Sequence, residues 1–241
     1  MMDTLLYQLK SIRLSGMARH LQVRIQEAQA NELTHLEFLQ NLVNDELEKR
    51  KDHLLKRRLK QARLPFLKTV DEYDFHFNET IKRGEILNLA SCAFVAKKEN
   101  VLFIGPPGVG KTHLAAAISL EAIQKGFRVF YRSIFDVARE VNEESEQKVL
   151  DNYIKPELLV IDELGMKKLA PYTNDLLLEI FHRRYRNGST LIASNRPIED
   201  WGKIFGDNAT ASAILDRLLE NIHYLKIKGK SYRLKNLKGE K

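Results

Sequence analysis

Apolar positions in the first sixty residues recur at spacings of three and four: Leu5, Leu9 and Ile12, then Leu21, Ile25 and Ala28, then Leu36, Leu39, Val43 and Leu47. That period predicts helices with one apolar face each. Breaks are expected at Gly16 and around Asn31–Thr34, where Thr34 and Glu37 have the spacing of a capping box. Leu64-Pro65 closes the helical block, because the residue before proline is pushed out of the helical region. In the stretch TVDEYDFHFNE, Tyr73, Phe75 and Phe77 alternate with polar residues, which predicts an extended segment that packs its aromatics on a core. From about residue 80 the period changes. Short apolar runs at 101–104, 128–131, 158–162, 190–193 and 224–228 read as strands, with helices over 112–124, 133–141, 173–187 and 209–221 between them. Strands alternating with helices imply a parallel sheet covered on both faces.

The first of those strands runs into GPPGVGKT, residues 105–112, a complete G-x-x-x-x-G-K-T pattern. Gly105, Gly108 and Gly110 let the backbone curl so that successive N–H groups point inward at an anion, and the following helix adds its partial positive charge. Gly105, Pro106, Pro107, Gly108, Val109, Gly110, Lys111, Thr112 and the adjacent His113 are therefore the expected nucleotide contacts. Lys111 suits a terminal phosphate as a point charge, and the Thr112 hydroxyl suits Mg²⁺.

The third apolar run ends in Asp162-Glu163, an acid pair where an α/β sheet places its ligands. Asp162 is the expected partner of the metal and Glu163 a general base for an attacking water. Asn195, after the fourth run, reads either as turn chemistry or as a side-chain amide that orients the water. Asp216 and Arg217 interrupt the apolar face of Ala211–Ile222. They are either an exposed pair or, for Arg217, a guanidinium supplied to a neighbouring subunit's γ-phosphate.

Composition narrows the class further. The single cysteine, Cys92, lies in an apolar stretch and rules out a disulfide framework, so a reducing compartment is expected. The N-terminus is charged and amphipathic, and no apolar run approaches membrane-spanning length, which predicts a cytoplasmic protein without a membrane partner. The net charge of +7 is concentrated in residues 49–63, where Lys49, Arg50, Lys51, Lys56, Arg57, Arg58, Lys60 and Arg63 stand against Asp52 alone. A second basic concentration ends the chain: Lys226, Lys228, Lys230, Arg233, Lys235, Lys238 and Lys241 against Glu240. One such run is often just a solvated helix face. Two of them flanking a phosphate-binding core point to a polyanion, and residues 49–63 are the expected contact surface for double-stranded DNA.

With these pieces in place, the chain resembles the ATPase helpers of the IstB type encoded in insertion sequences. These are AAA+ ATPases in the branch with the DnaC-like and DnaI-like helicase loaders and the initiator DnaA. The resemblance covers nearly the whole chain, and its most specific stretches are SNRPIEDWGKIFGD, AILDRLL and GKSYRLK. It implies an α/β fold: an AAA+ P-loop NTPase with a five-stranded parallel sheet, preceded by a small all-helical N-terminal domain. The divisions are a basic helical domain over 1–66, a linker over 67–80 and an ATPase domain over 81–241. It also implies Lys111 and Thr112 as Walker A contacts, Asp162 and Glu163 as the Walker B pair, and Asn195 as sensor 1. Arg217 becomes a trans-acting finger, Arg233 a sensor 2-like residue, and Tyr73 and Phe75 neighbours of the adenine. The cofactors would be ATP and Mg²⁺. The partners would be double-stranded DNA, the transposase of the same element and further copies of the chain.

In one place the chain departs from the family. Its segment between the second strand and Asp162 looks short, and the acidic EVNEESE within it would repel phosphate. Two other functions compete with the helper role. A helicase loader would use the N-terminal helices to grip a helicase, and a P-loop kinase would act on a small molecule. The Asp162-Glu163 pair and the two basic clusters count against the kinase.

Overall fold

The computed structural model describes residues 2–78, 80–205 and 209–233. The chain divides into two compact units, Met1–Arg57 and Arg58–Lys241. The first holds α1 (Met2–Ser11), α2 (Ser15–Ala30) and most of α3 (His35–Ala62), whose end belongs to the second. The Thr34–Glu37 capping box opens α3 as expected: the Thr34 N–H donates to Glu37 (2.8 Å) and the Glu37 N–H to the Thr34 hydroxyl (3.3 Å).

Two expectations fail in this unit. Gly16 is not a break but the second residue of α2. It is buried because its N–H donates to Glu46 at 2.6 Å, and a Cβ there would lie 2.7 Å from the Glu46 Cα. The periodic stripe Leu36, Leu39, Val43 and Leu47 is exposed, and the side of α3 turned inward carries Leu42, Asp45 and Glu46. Those two acids satisfy the Gly16 N–H and the Arg24 guanidinium, so polar pairing rather than apolar periodicity sets the orientation of α3 within the unit.

The second unit continues with α4 (Arg83–Ala90), α5 (Ala93–Lys97), β1 (Asn100–Ile104), α6 (Lys111–Gln124), β2 (Val129–Ser133), α7 (Ile134–Glu143) and α8 (Glu146–Ile154). Then follow β3 (Leu158–Leu164), α9 (Pro171–Arg184), β4 (Ser189–Ser194), a short 3₁₀ turn (Ile198–Asp200), α10 (Trp201–Phe205), α11 (Ala209–Leu219) and β5 (Ile222–Lys226). All five strands are parallel, in the order β2-β3-β4-β1-β5. β1, β3 and β4 carry runs of apolar residues, Val101–Ile104, Leu158–Ile161 and Leu191–Ala193, because they are central and helices cover both faces. Leu102, Leu159, Ile161 and Ile192 join Leu177, Ile180, Phe181 and Trp201 in one continuous core.

The order of the strands positions the site. β4 lies between β1 and β3, so the loop after β1, the acidic end of β3 and the residue after β4 come together at one edge. Ile104 pairs with Ser194, and the Gly105 N–H donates to the Ser194 carbonyl at 3.2 Å. β5 begins two residues earlier than its apolar run suggests. Beyond it the chain leaves the sheet, with the Ile227 N–H donating to the Ile104 carbonyl at 2.7 Å.

The aromatic stretch 73–77 is a succession of turns, not an extended strand, because Asp74 accepts from the N–H groups of His76 and Phe77. The segment after β2 holds two helices, and one of its acids is not presented to solvent. Glu140 turns inward to Arg132 (2.8 Å), the Tyr153 hydroxyl (2.9 Å) and Arg63 (3.3 Å), so it adds nothing to the expected repulsion of phosphate.

Candidate nucleotide site

A cavity of about 310 Å³ opens at the carboxyl edge of the sheet. Residues 107–110 of the glycine-rich loop line it. Gly108 and Gly110 have φ of 82° and 97°, a left-handed conformation that suits glycine and turns the backbone N–H groups toward one side. Two outer segments hold the loop in this shape. From the segment before α4, the Tyr73 hydroxyl donates to the Val109 carbonyl at 2.9 Å, and a Cβ on Gly110 would meet the Tyr73 ring at 2.4 Å. From the segment after β5, the Tyr232 N–H donates to the Gly108 carbonyl at 2.9 Å, and a Cβ on Gly108 would meet the Ser231 hydroxyl at 2.0 Å. The two segments also touch each other through the Phe77 and Tyr232 rings, edge to face at 4.9 Å, and through Thr80, which exchanges hydrogen bonds with the Lys228 backbone.

The cavity brings together most of the expected residues. Pro107, Gly108, Val109, Gly110, Lys111, Thr112, His113, Asp162, Glu163, Asn195 and Arg233 line it. Gly105 and Pro106 do not; their carbonyls accept from the Lys111 ammonium, each at 2.8 Å. His113 is held between Phe66 and Tyr73, its Nε2 3.0 Å from the Thr69 carbonyl. Of the two residues expected near a base, Tyr73 lines the cavity, whereas Phe75 packs against the Tyr73 ring at 4.9 Å. Phe77, expected to pack on the core, lines the cavity too, and Phe66 and Tyr232, which the sequence did not point to, complete an aromatic end, although Tyr232 stands next to Arg233 in GKSYR. Arg217 is exposed on α11 and does not reach this cavity.

Charges in the cavity are tuned by burial and by one another. Burial lowers the Lys111 ammonium to about 8; Asp162 opposes that shift and Arg233 adds to it. Burial and the neighbouring Asp162 raise the Glu163 carboxyl above its ordinary range. Glu163 also has φ of 61°, at a bulge where the β3–β4 register shifts, so the chain turns sharply there and Asp162 and Glu163 both face the cavity. Asp162 is buried and bonded on both oxygens, by the Glu163 N–H at 2.8 Å and the Tyr131 hydroxyl at 2.6 Å. A hydroxyl and a carboxylate beside a phosphate-shaped loop form a donor set that fits Mg²⁺ carried on a nucleotide. Among the described residues there is no cluster of three or more His, Cys, Asp or Glu side chains that would hold a metal unaided.

Seven residues of the basic run, Lys49 to Lys60, stand on α3, and Arg63 follows it. Lys49 reaches the Ser15 hydroxyl (2.8 Å) and Arg50 pairs with Glu46 (2.7 Å). Arg63 pairs with Glu140. Lys51, Lys56, Arg57 and Lys60 are exposed and, like the half-buried Arg58, make no ion pair with a described residue. Of the C-terminal basic residues, Lys235, Lys238 and Lys241, with Glu240, lie outside the described residues. Among the described residues no helix is long and apolar enough to cross a membrane.

A glycine-rich loop between a central strand and its helix, with acids two strands over and an aromatic end, defines an AAA+ P-loop protein. Solved structures share the fold. A crystal structure of DnaI matches with a TM-score of 0.56 at 22% identity, over 66% of this chain and 90% of that one. The DnaC helicase loader matches at 0.52 and 25%, over 72% and 99%. The replication initiator DnaA bound to AMPPCP and single-stranded DNA matches at 0.56 and 19%, over 74% and 57%. The chain belongs to the family of IstB-like ATP binding proteins, whose model matches residues 7–239. It is 38% identical to a protein of insertion sequence IS21 from Pseudomonas aeruginosa, over 94% of this chain and 87% of that one. It is 34% identical to a protein of IS5376 from Geobacillus stearothermophilus, over 95% and 94%.

Proposed function

We propose that this protein binds and hydrolyses ATP to control its own assembly on double-stranded DNA, and thereby assists the transposase of its insertion sequence. The observation that carries this reading is that one cavity holds the phosphate loop, Lys111, Thr112, the acid pair, Asn195 and Arg233 together. The loop N–H groups and Lys111 bind the phosphates, and the base lies among Phe66, Tyr73, Phe77 and Tyr232. Thr112 and Asp162 hold Mg²⁺, which neutralises phosphate charge when bound. Asn195 orients a water, and Glu163, made more basic by its surroundings, accepts the proton as that water attacks. Arg233 faces the phosphates from the same chain. Arg217, which stands outside the cavity, serves the site of a neighbouring copy, so ATP binding and assembly are linked. Residues 1–66 form the basic DNA- and partner-binding part, 67–80 the linker and 81–241 the ATPase, working in the cytoplasm.

The test combines turnover with DNA binding. Glu163→Gln should retain ATP binding and lose at least about 100-fold in turnover. Neutralising Lys56, Arg57 and Arg58 together should weaken DNA binding and flatten its log–log salt dependence by about 3. An unchanged slope would remove residues 49–63 from the DNA surface. The shared fold with the DnaC helicase loader supports one other reading, in which the N-terminal helices grip a helicase. Stable co-purification with a hexameric helicase, and no DNA affinity, would select it.

A further inference from the structure

Asp162 is not held by the phosphate loop but from behind. Its partner on β2 is Ser133, and Tyr131 pairs with Val160, so Tyr131 and Asp162 are diagonal neighbours on one face of the sheet. The Tyr131 hydroxyl reaches along the strands to the Asp162 Oδ2 at 2.6 Å. Tyr131 is buried at 4% exposure and does not line the cavity, so this contact is made on the side of the carboxylate away from it. The backbone at Tyr131 is itself tied down. The Arg132 guanidinium donates to the Tyr131 carbonyl at 2.6 Å, stacks over Phe130 at 3.6 Å and is tied to Glu140 at 2.8 Å.

A carboxylate offers about four lone-pair sites, two on each oxygen. At Asp162 the Tyr131 hydroxyl takes one on Oδ2 and the Glu163 N–H takes one on Oδ1. Two donors on different oxygens remove the rotation of the carboxylate about its last bond. One lone pair on each oxygen is left for the cavity that Thr112 also lines. Sequence patterning gives no sign of this, since Tyr131 reads there as an ordinary aromatic on a β-strand.

We propose that Tyr131 is a positioning residue for the divalent cation, locking the Asp162 carboxylate in the rotation that meets Mg²⁺ carried on ATP. This rests on the Mg²⁺–ATP reading of the site. Removing an outer hydrogen-bond partner of a metal ligand typically costs about 10- to 100-fold in metal affinity. The loss at Tyr131 should fall on the metal and not on the nucleotide.

The experiment measures the affinity of the full chain for a fluorescent, non-hydrolysable ATP analogue, once with Mg²⁺ and once with EDTA. In the wild-type protein Mg²⁺ should tighten binding. In Tyr131→Phe the affinity in EDTA should stay within about twofold, while the tightening by Mg²⁺ should shrink by about tenfold. The same substitution on an Asp162→Asn background should add nothing further, because the carboxylate that Tyr131 orients is gone. An unchanged Mg²⁺ response in Tyr131→Phe would overturn the role of Tyr131 and leave the Mg²⁺ reading intact. An equal loss of affinity with EDTA and with Mg²⁺ in Tyr131→Phe, with a lowered melting temperature, would overturn it in favour of packing. Absence of any tightening by Mg²⁺ in the wild-type protein would overturn the metal reading itself, and this proposal with it.

Discussion

Between Met2 and Arg57 the buried apolar side chains are Ala18, Leu21 and Leu42, and two carboxylates, Asp45 and Glu46, are buried with them. Beyond Arg58 the chain buries a full sheet and the helices over it, with Leu102, Phe103, Leu159, Val160 and Ile192 all at or near zero exposure. The larger unit is held by apolar area and the smaller one by charge. In the smaller unit Glu46 accepts from the Gly16 N–H at 2.6 Å and from Arg50 at 2.7 Å, while Asp45 takes both arms of Arg24 at 2.7 and 2.9 Å. Apolar burial is indifferent to pH and only weakly sensitive to salt, whereas buried ion pairs are conditional on both partners staying charged. The difference suits the two proposed tasks. A nucleotide site needs fixed geometry, and an arm that meets DNA or a transposase gains from helices that can shift. Tyr7, Leu36 and Leu39 leave apolar surface exposed on those helices.

The largest effect expected from this contrast is in the sheet. Phe103, fully buried on β1, sits one residue before the strand's last position and its substitution by alanine leaves a cavity. Phe103→Ala should cost about 3–5 kcal/mol and lower the chemical-denaturation midpoint of the core, with loss of nucleotide binding near the transition. A cost below about 1 kcal/mol would show that apolar packing is not what holds this unit.

Acid should separate the two units next. The Arg24 guanidinium holds the Asp45 carboxyl below its ordinary value of 3.8. Burial pushes Glu46 up, but Arg50 and the N–H groups of Gly16 and Met17 together outweigh it and leave its carboxyl below 4.5. A depressed carboxyl contributes stability that is full above its unfolded pKa and is lost as pH falls through the folded one. The N-terminal helices should therefore begin to lose stability below about pH 4 and lose more as pH falls further. Trp201 is the chain's one tryptophan and is buried in the core, so its emission reports on the larger unit alone. Helical circular dichroism should fall before Trp201 emission shifts. Coincident transitions would count against the contrast.

How much of this was legible in the sequence follows the same divide. In the larger unit one rule, apolar run then glycine or acid, was enough to find β1, the phosphate loop, α6 and the acid pair, because burial on both faces leaves a strong pattern. The strands came out within two residues. α4, α5 and α8 were missed because their lengths of eight, five and nine residues give too few turns for a period to emerge. In the smaller unit the helices were legible and their orientation was not. A period of three to four finds a stripe, but the stripe Leu36–Leu47 is outside and a polar cluster is inside. Of the aromatics brought to the cavity by irregular backbone, Phe66 and Tyr232 left no pattern, and the alternation that includes Phe77 pointed to an extended segment where the chain makes turns.

The smallest expected effect isolates one clamp. Glu46→Gln keeps the shape of the side chain and can still accept from the Gly16 N–H, but it removes the charge that faces Arg50 and strengthens both bonds. The expected cost is about 1–2 kcal/mol, confined to the N-terminal helices. Amide hydrogen exchange should quicken across α1, α2 and the first half of α3 while β1, β3 and β4 keep their protection. Every residue lining the nucleotide cavity lies beyond Arg58, so affinity for an ATP analogue should not change. If exchange quickened equally in the sheet, the two units would be one cooperative structure, and the division of labour drawn from their different interiors would fail.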